Sequence, residues 1–305
     1  MVRSVLTEAH TLHPACNANF QLHHLQVGSN EPGTVSAILL ILDARQTERT
    51  FMAVILDKAT LPRSLSVNLD HMATLRQVRR TTYPSLTTAA GICEVAGADG
   101  VTLHLREDRR HIQDRDLELL RETSLLPITL EMGSTDEMVD IALRNRPHAV
   151  TLVPERRQEL TTEGGLDAVK LAPALESVVG RLKEQGIIVC LFLEPDPAQI
   201  DTAARLKCDS VELHTGAYAL DWEKSRTDAI SNHLSRIGAV VRQGVELGMQ
   251  MNAGHGLHYQ NIRPLAALEG LTEFSIGHSI ICRSLFVGLE KAVREMGALI
   301  RQWTS

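Results

Sequence analysis

The stretch VTLHLREDRRHI, residues 101–112, begins with the apolar–polar rhythm of a β-strand and then releases three arginines, two acids and a second histidine. A mixed-charge block behind a strand ordinarily faces water. It marks the rim of a site instead when other strands of the same chain end in similar residues.

From residue 64 onward, eight short β-branched runs alternate with longer amphipathic stretches. The runs are LSVNLD (65–70), GVTLHL (100–105), PITLEM (127–132), AVTLVP (149–154), IIVCLFLE (187–194), SVELHT (210–215), MQMNAG (249–254) and EFSIG (273–277). Between them lie helical patterns such as STDEMVDIALRN and DAISNHLSRIGAVVRQGVELG, several ending on glycine as helix C-termini often do. Eight βα units over roughly 240 residues predict a (β/α)8 TIM barrel with extra helices rather than an open doubly wound sheet. No GxGxxG follows the first strand.

Composition sets outer bounds. The chain has 305 residues, 44% hydrophobic, and a net charge of −6, which disfavours general binding to nucleic acid or anionic lipid. No apolar run approaches the roughly 20 residues that span a bilayer. Cys16, Cys93, Cys190, Cys208 and Cys282 form no CxxC pair, in keeping with a reducing cytoplasm. Residues 1–63 lack sustained periodicity and carry no secretory signal; they read as an N-terminal extension, poorly ordered or a product of an upstream start, with Met52 as the internal alternative. Residues 64–305 form the catalytic domain.

The polar residues collect where the strands end. Asn68, Asp70 and His71 follow the first strand, His104 and Arg106 the second, Glu131 the third, Glu155 the fourth, Glu194 the fifth, Glu212 and His214 the sixth, Asn252 and His255 the seventh, and His278 the eighth. Nine histidines follow the tail, and five of them fall within a residue or two of a strand end. One inward histidine or glutamate is ordinarily a satisfied core residue; several converging at the C-terminal mouth of a barrel read as a site. The turns NAGHGLHYQNI and IGHSII, after the last two strands, bring glycines and a helix start together, a pattern suited to phosphate. In the first loop Arg76, Arg79 and Arg80 offer guanidinium groups to a second phosphate. Glu131, His104 and His255 are the proton-transfer candidates. A metallohydrolase is the chemical rival, but His-x-His is absent from the first strand; no lysine stands at any strand end, which argues against an enzyme-bound Schiff base.

These stretches, with AGADGVTLHLREDRRHIQDRD, LVPERRQELTTEGGLD, ELHTGAYA and NAGHGL, resemble in order the pyridoxine 5'-phosphate synthase family of deoxyxylulose-dependent vitamin B6 biosynthesis. The resemblance implies a homo-octamer built from dimers. It also implies a condensation of 1-deoxy-D-xylulose 5-phosphate with 3-amino-2-oxopropyl phosphate, without metal or organic cofactor. It further implies that Asn68, Arg79, Gly256, Gly277 and His278 bind the amino-ketone phosphate, and that Asp70, His71, Arg106, His111 and Thr161 bind the deoxyxylulose phosphate. His104 and Glu131 would accept protons and His255 would donate one. Thr161 would sit in a loop able to close over substrate. The alternatives are another phosphate-binding barrel isomerase or lyase, and a non-catalytic barrel that binds a phosphorylated ligand. Against the family pattern stand the long extension, Arg80 where a small residue is common, and the ICRS segment around Cys282.

Overall fold

A computed structural model describes residues 63–155 and 164–302 in full, and three further strands by their backbone. Those strands are β1 (Leu22–Gln26), β2 (Ser36–Ile41) and β3 (Met52–Asp57), which pair antiparallel in the order β1-β2-β3 within a unit spanning Met1–Thr60. The expectation of poor order or an upstream start for residues 1–63 falls largely outside the described residues.

The second unit, Leu61–Ser305, carries the predicted alternation. Its elements run β4 (Ser64–Asn68), α1 (Asp70–Arg79), α2 (Leu86–Val95), β5 (Gly100–His104), α3 (Asp114–Thr123), β6 (Ile128–Met132), α4 (Asp136–Asn145), β7 (Ala149–Leu152) and α5 (Ala168–Glu184). They continue with β8 (Ile188–Leu193), α6 (Pro197–Arg205), β9 (Ser210–His214), α7 (Gly216–Glu223), α8 (Thr227–Glu246), β10 (Gln250–Gly254), α9 (Ile262–Ala266), β11 (Leu271–Ile276), α10 (His278–Val287) and α11 (Leu289–Arg301). Strands β4 to β11 pair in parallel around a closed barrel, with β11 against β4. Each predicted strand lies within about two residues of an observed one, and α1, α7 and α10 supply the extra helices beyond one per strand. Among the described residues, no helix is long and apolar enough to cross a membrane.

The strand alternation divides the barrel in an uncommon way. Leu65, Val67, Leu103, Leu130, Val150 and Leu191 are fully buried with the helical layer, so the hydrophobic core lies outside the cylinder. The opposite parity delivers Ser66, Thr102, Thr151, Cys190, Ser210, Glu212, Asn252 and Ser275, all buried, where many barrels place Val, Ile and Leu. Buried hydroxyls need partners. Ser66 bonds Thr102 at 2.7 Å, and Ser275 bonds the same Thr102 at 3.4 Å. Glu212 is the largest exception to comfort: burial, then the charge of Glu273, pushes its carboxyl up to about 8. Gly254 makes room for it, because a Cβ there would come within 2.0 Å of Glu212 Oε1.

One buried ion pair ties α1 to α3. Both terminal nitrogens of Arg76 donate to Asp116, each at 2.6 Å, and Asp116 also accepts the backbone N–H of Gln113 at 2.8 Å. Arg76 is therefore spent on structure rather than offered to phosphate. Arg80 closes α1 in the left-handed region with φ 51°, where glycine or asparagine is the usual choice.

Two outcomes follow from this packing. Asp116→Ala leaves the Arg76 charge buried and is expected to cost about 3–5 kcal/mol in urea unfolding, with much of it recovered in the double variant Arg76→Met/Asp116→Leu. Glu212 has a raised pKa in the folded chain, so its contribution to stability is fully present below about 4.5 and is lost as pH rises through about 8. Glu212→Gln should gain stability over the parent between those two pH values and show no such gain at pH 4, as read by urea midpoints across the range.

Candidate active site

Asp70 is the hub of the first half of the mouth. Its backbone N–H donates to Asn68 Oδ1 at 2.9 Å, and its own Oδ1 accepts the backbone N–H of His104 from the neighbouring strand at 2.8 Å. His104, with a side chain only 5% exposed, directs Nε2 to Glu155 Oε1 at 3.2 Å and Nδ1 toward Glu131 Oε2 at 3.8 Å. The longer distance is outside hydrogen-bond range and too short to admit an atom between the two groups.

Burial raises the Glu131 pKa well above the usual carboxyl range, the nearby Glu212 and Asp70 charges raise it further, and a hydrogen bond from Asn68 offsets only part. Glu155 behaves oppositely: burial works to raise it, but the bond with His104, the Glu107 N–H at 3.1 Å and the His104 and Arg106 charges bring it below the ordinary value. Two carboxyl groups thus flank one imidazole with their proton affinities driven apart, the arrangement that separates acid from base. The ligand atoms of Asp70, His104 and Glu131 all lie within 4.8 Å of one another, so this set could also receive a cation, which would compete for the lone pairs used in proton transfer.

Around this centre stand His71, Arg106, His111 and His278. The His71 and His278 rings meet edge to face at 4.7 Å, and His71 Nδ1 is buried with no hydrogen-bond partner among the described residues. Burial, then the neighbouring His278, lowers the His71 pKa. His111 lies 6.1 Å from His104 ring to ring and is likewise lowered by burial. Arg106 is buried with Nε 4.0 Å from Asp108. The rest of the opening charge run is structural: Arg109 pairs with Asp114 and Glu137, and Arg110 with Asp108. Arg79 is exposed in the last turn of α1.

The other half of the mouth is built on β8 to β10. His255 has a left-handed backbone, φ 77°, rare for a residue with a side chain. The Thr215 hydroxyl holds it, lying 2.6 Å from the His255 carbonyl and 2.7 Å from that of Gly254. Gly256, φ 74°, completes the turn, and a Cβ there would meet Ala219 at 2.6 Å. The His255 ring packs on His214 at 4.8 Å, and His214 Nδ1 bonds Glu194 Oε1 at 2.6 Å. Burial and then His214 lower the His255 pKa to about 4, so the designated proton donor is a neutral imidazole at pH 7 in the free site. Gly277 serves packing first: a Cβ there would lie 2.9 Å from Asn68. It opens α10, which starts with no side-chain cap. Thr161 and its loop lie outside the described residues.

Glu155, Glu194, His214 and Glu212 were legible as strand-end residues but received no role from sequence. Their signal was the same as that of Glu131, and only their pairing in space separates them.

The sequence profile of the family described as pyridoxal phosphate biosynthesis protein PdxJ matches residues 65–302. A protein of Geobacter sulfurreducens named pyridoxine 5'-phosphate synthase is 52% identical over 239 residues, 78% of this chain and 98% of its own length. A protein of the same name from Synechococcus sp. is 54% identical over 233 residues, 76% of this chain and 96% of its own. In three dimensions, a solved 4-hydroxy-2-oxoglutarate aldolase is similar at a TM-score of 0.54 and 15% identity, covering 80% of this chain and 99% of that one, a likeness of fold alone. Because profile and relatives both span the whole barrel, with its eight strand ends and the paired groups they carry, the chain belongs to the PdxJ family.

Proposed function

We propose that the barrel condenses 1-deoxy-D-xylulose 5-phosphate with 3-amino-2-oxopropyl phosphate to give pyridoxine 5'-phosphate, inorganic phosphate and water. The observation that carries this reading is buried His104 set between Glu155, 3.2 Å from Nε2, and Glu131, 3.8 Å from Nδ1, two carboxyl groups whose proton affinities are driven in opposite directions. The substrate's own amine attacks the ketone of its partner, so imine formation requires no enzyme lysine. What the protein must supply is repeated proton movement as the adduct enolises, loses phosphate and closes its ring. Glu131 and His104 serve those transfers from one side of the mouth and His255 from the other. His255, neutral when free, donates after an anionic substrate has raised its proton affinity.

The phosphates bind where donors lack partners. His71 Nδ1 and the uncapped start of α10 support a phosphate near His71 and His278. In this reading Asn68, Arg79, Gly256, Gly277 and His278 hold the amino-ketone phosphate, while Asp70, His71, Arg106, His111 and Thr161 hold the sugar phosphate. No cofactor enters the scheme. We place the enzyme in the cytoplasm as a homo-octamer, with residues 1–63 outside the catalytic unit. The exposed apolar side chains of Leu285, 68% accessible, and Phe286, 87% accessible, support self-association.

Mixing the protein with both substrates should produce pyridoxine 5'-phosphate, followed by absorbance. Glu131→Gln should lower kcat by roughly 1,000-fold while the far-ultraviolet dichroism is unchanged. Since the Glu131 pKa is raised, its base form grows in as pH rises, and the acid limb of kcat/KM should lie above the ordinary carboxyl range and disappear in the variant. Equal rates for the two proteins would refute the mechanism. Light scattering should give an octamer for the parent and a smaller species for Leu285→Glu/Phe286→Glu; a monomeric parent would remove the assembly from the proposal.

A further inference from the structure

Glu155 follows β7 and touches no position that the proton scheme requires except His104. Its two oxygens are both assigned: Oε1 lies 3.2 Å from His104 Nε2, and Oε2 accepts the backbone N–H of Glu107 at 3.1 Å. His104 has little freedom to turn away. Its side chain is buried, and its backbone N–H is held by Asp70 Oδ1 at 2.8 Å.

An ionised carboxylate can only accept hydrogen bonds. A neutral imidazole with one ring nitrogen against such a group carries its proton on that nitrogen, leaving the other bare. We propose that Glu155 is a positioning residue: it locks His104 in the Nε2–H tautomer, so that a bare Nδ1 lone pair faces Glu131. The catalytic consequence rests on the function proposed above; the tautomer itself does not.

The direction of proton flow follows. Nδ1, bare on the side that faces Glu131 3.8 Å away, can take a proton from substrate there, and Glu155 stabilises the imidazolium that results. With the opposite tautomer Nδ1 would carry a hydrogen, and His104 could not act as a proton acceptor on that side.

Glu155→Gln tests this sharply because the Glu107 N–H needs an acceptor. The amide oxygen is expected to take the place of Oε2, which turns the amide NH2 onto His104 Nε2 and forces the ring proton to Nδ1. Full-length protein labelled with 15N-histidine reports this directly, with a His104→Gln sample to assign the signals. The parent should show a protonated Nε2 and a bare Nδ1, and Glu155→Gln the reverse. In the same variant kcat should fall roughly 100-fold or more with KM within about threefold, and Glu155→Asp, which keeps an acceptor, should retain the parent tautomer and recover part of the rate. A parent His104 with a bare Nε2 overturns the proposal, even if the Gln variant fails to fold. So does a Gln variant that keeps the parent tautomer, or one that reverses it at unchanged kcat. If the tautomer switches as expected but the parent makes no pyridoxine 5'-phosphate, the proposed function fails and the assignment of Glu155 stands.

Discussion

Carboxyl groups held inside a closed barrel, away from water, are the constraint on which the site depends. Removing an ionised carboxylate from solvent without a paired cation is costly, and the group keeps its proton instead. Glu212 and Glu273 both face this environment, with burial pushing them up to about 8 and about 7. Their neighbours carry the same sign, so each makes the next harder to ionise. Glu131 stands at the mouth end of this series and inherits the effect through Glu212 and Asp70. Its raised proton affinity is thus a property of the barrel interior rather than of any one contact at the rim.

The interior can be polar because the hydrophobic core lies elsewhere. Outward-facing leucines and valines bury themselves beneath the helices, and the closed ring of strands satisfies the backbone, so the inward positions are released from the work of cohesion. Hydroxyls then pair across the lumen, as Ser66, Thr102 and Ser275 do. Glycines appear where these polar groups need space. Gly254 yields to Glu212, and Gly216 lies where a Cβ would come within 2.5 Å of His214 Nε2. The glycine-rich turns are therefore shaped partly by the residues beneath them, beyond whatever ligand they meet above.

The two halves of the mouth repeat one device. Glu155 with His104, and Glu194 with His214, each set a carboxylate against an imidazole. The surroundings make the carriers differ: His104 stands between two carboxyl groups, Glu155 and Glu131, whereas His255 packs against another imidazole and is held neutral. Identical residue types meet different electrostatic environments because burial and neighbouring charge differ between the two sides.

The barrel was legible from residue 64 onward, since strand periodicity and helix spacing are local properties and closure of eight parallel strands leaves few alternatives. The strand-end residues were legible for the same reason. Their division of labour was not. Arg76, Arg79 and Arg80 look alike in one loop, yet Arg76 is bound to Asp116 forty residues away, Arg80 caps a helix in the left-handed region, and Arg79 stands in solvent. Gly277 reads as a phosphate turn, and its first constraint is contact with Asn68. By itself, then, the sequence determined which side chains reach the mouth, because alternation along a strand decides which way each one points. Only the tertiary structure decided which of them hold protons and which hold each other, because pKa and pairing depend on distances between strands that the chain order does not encode.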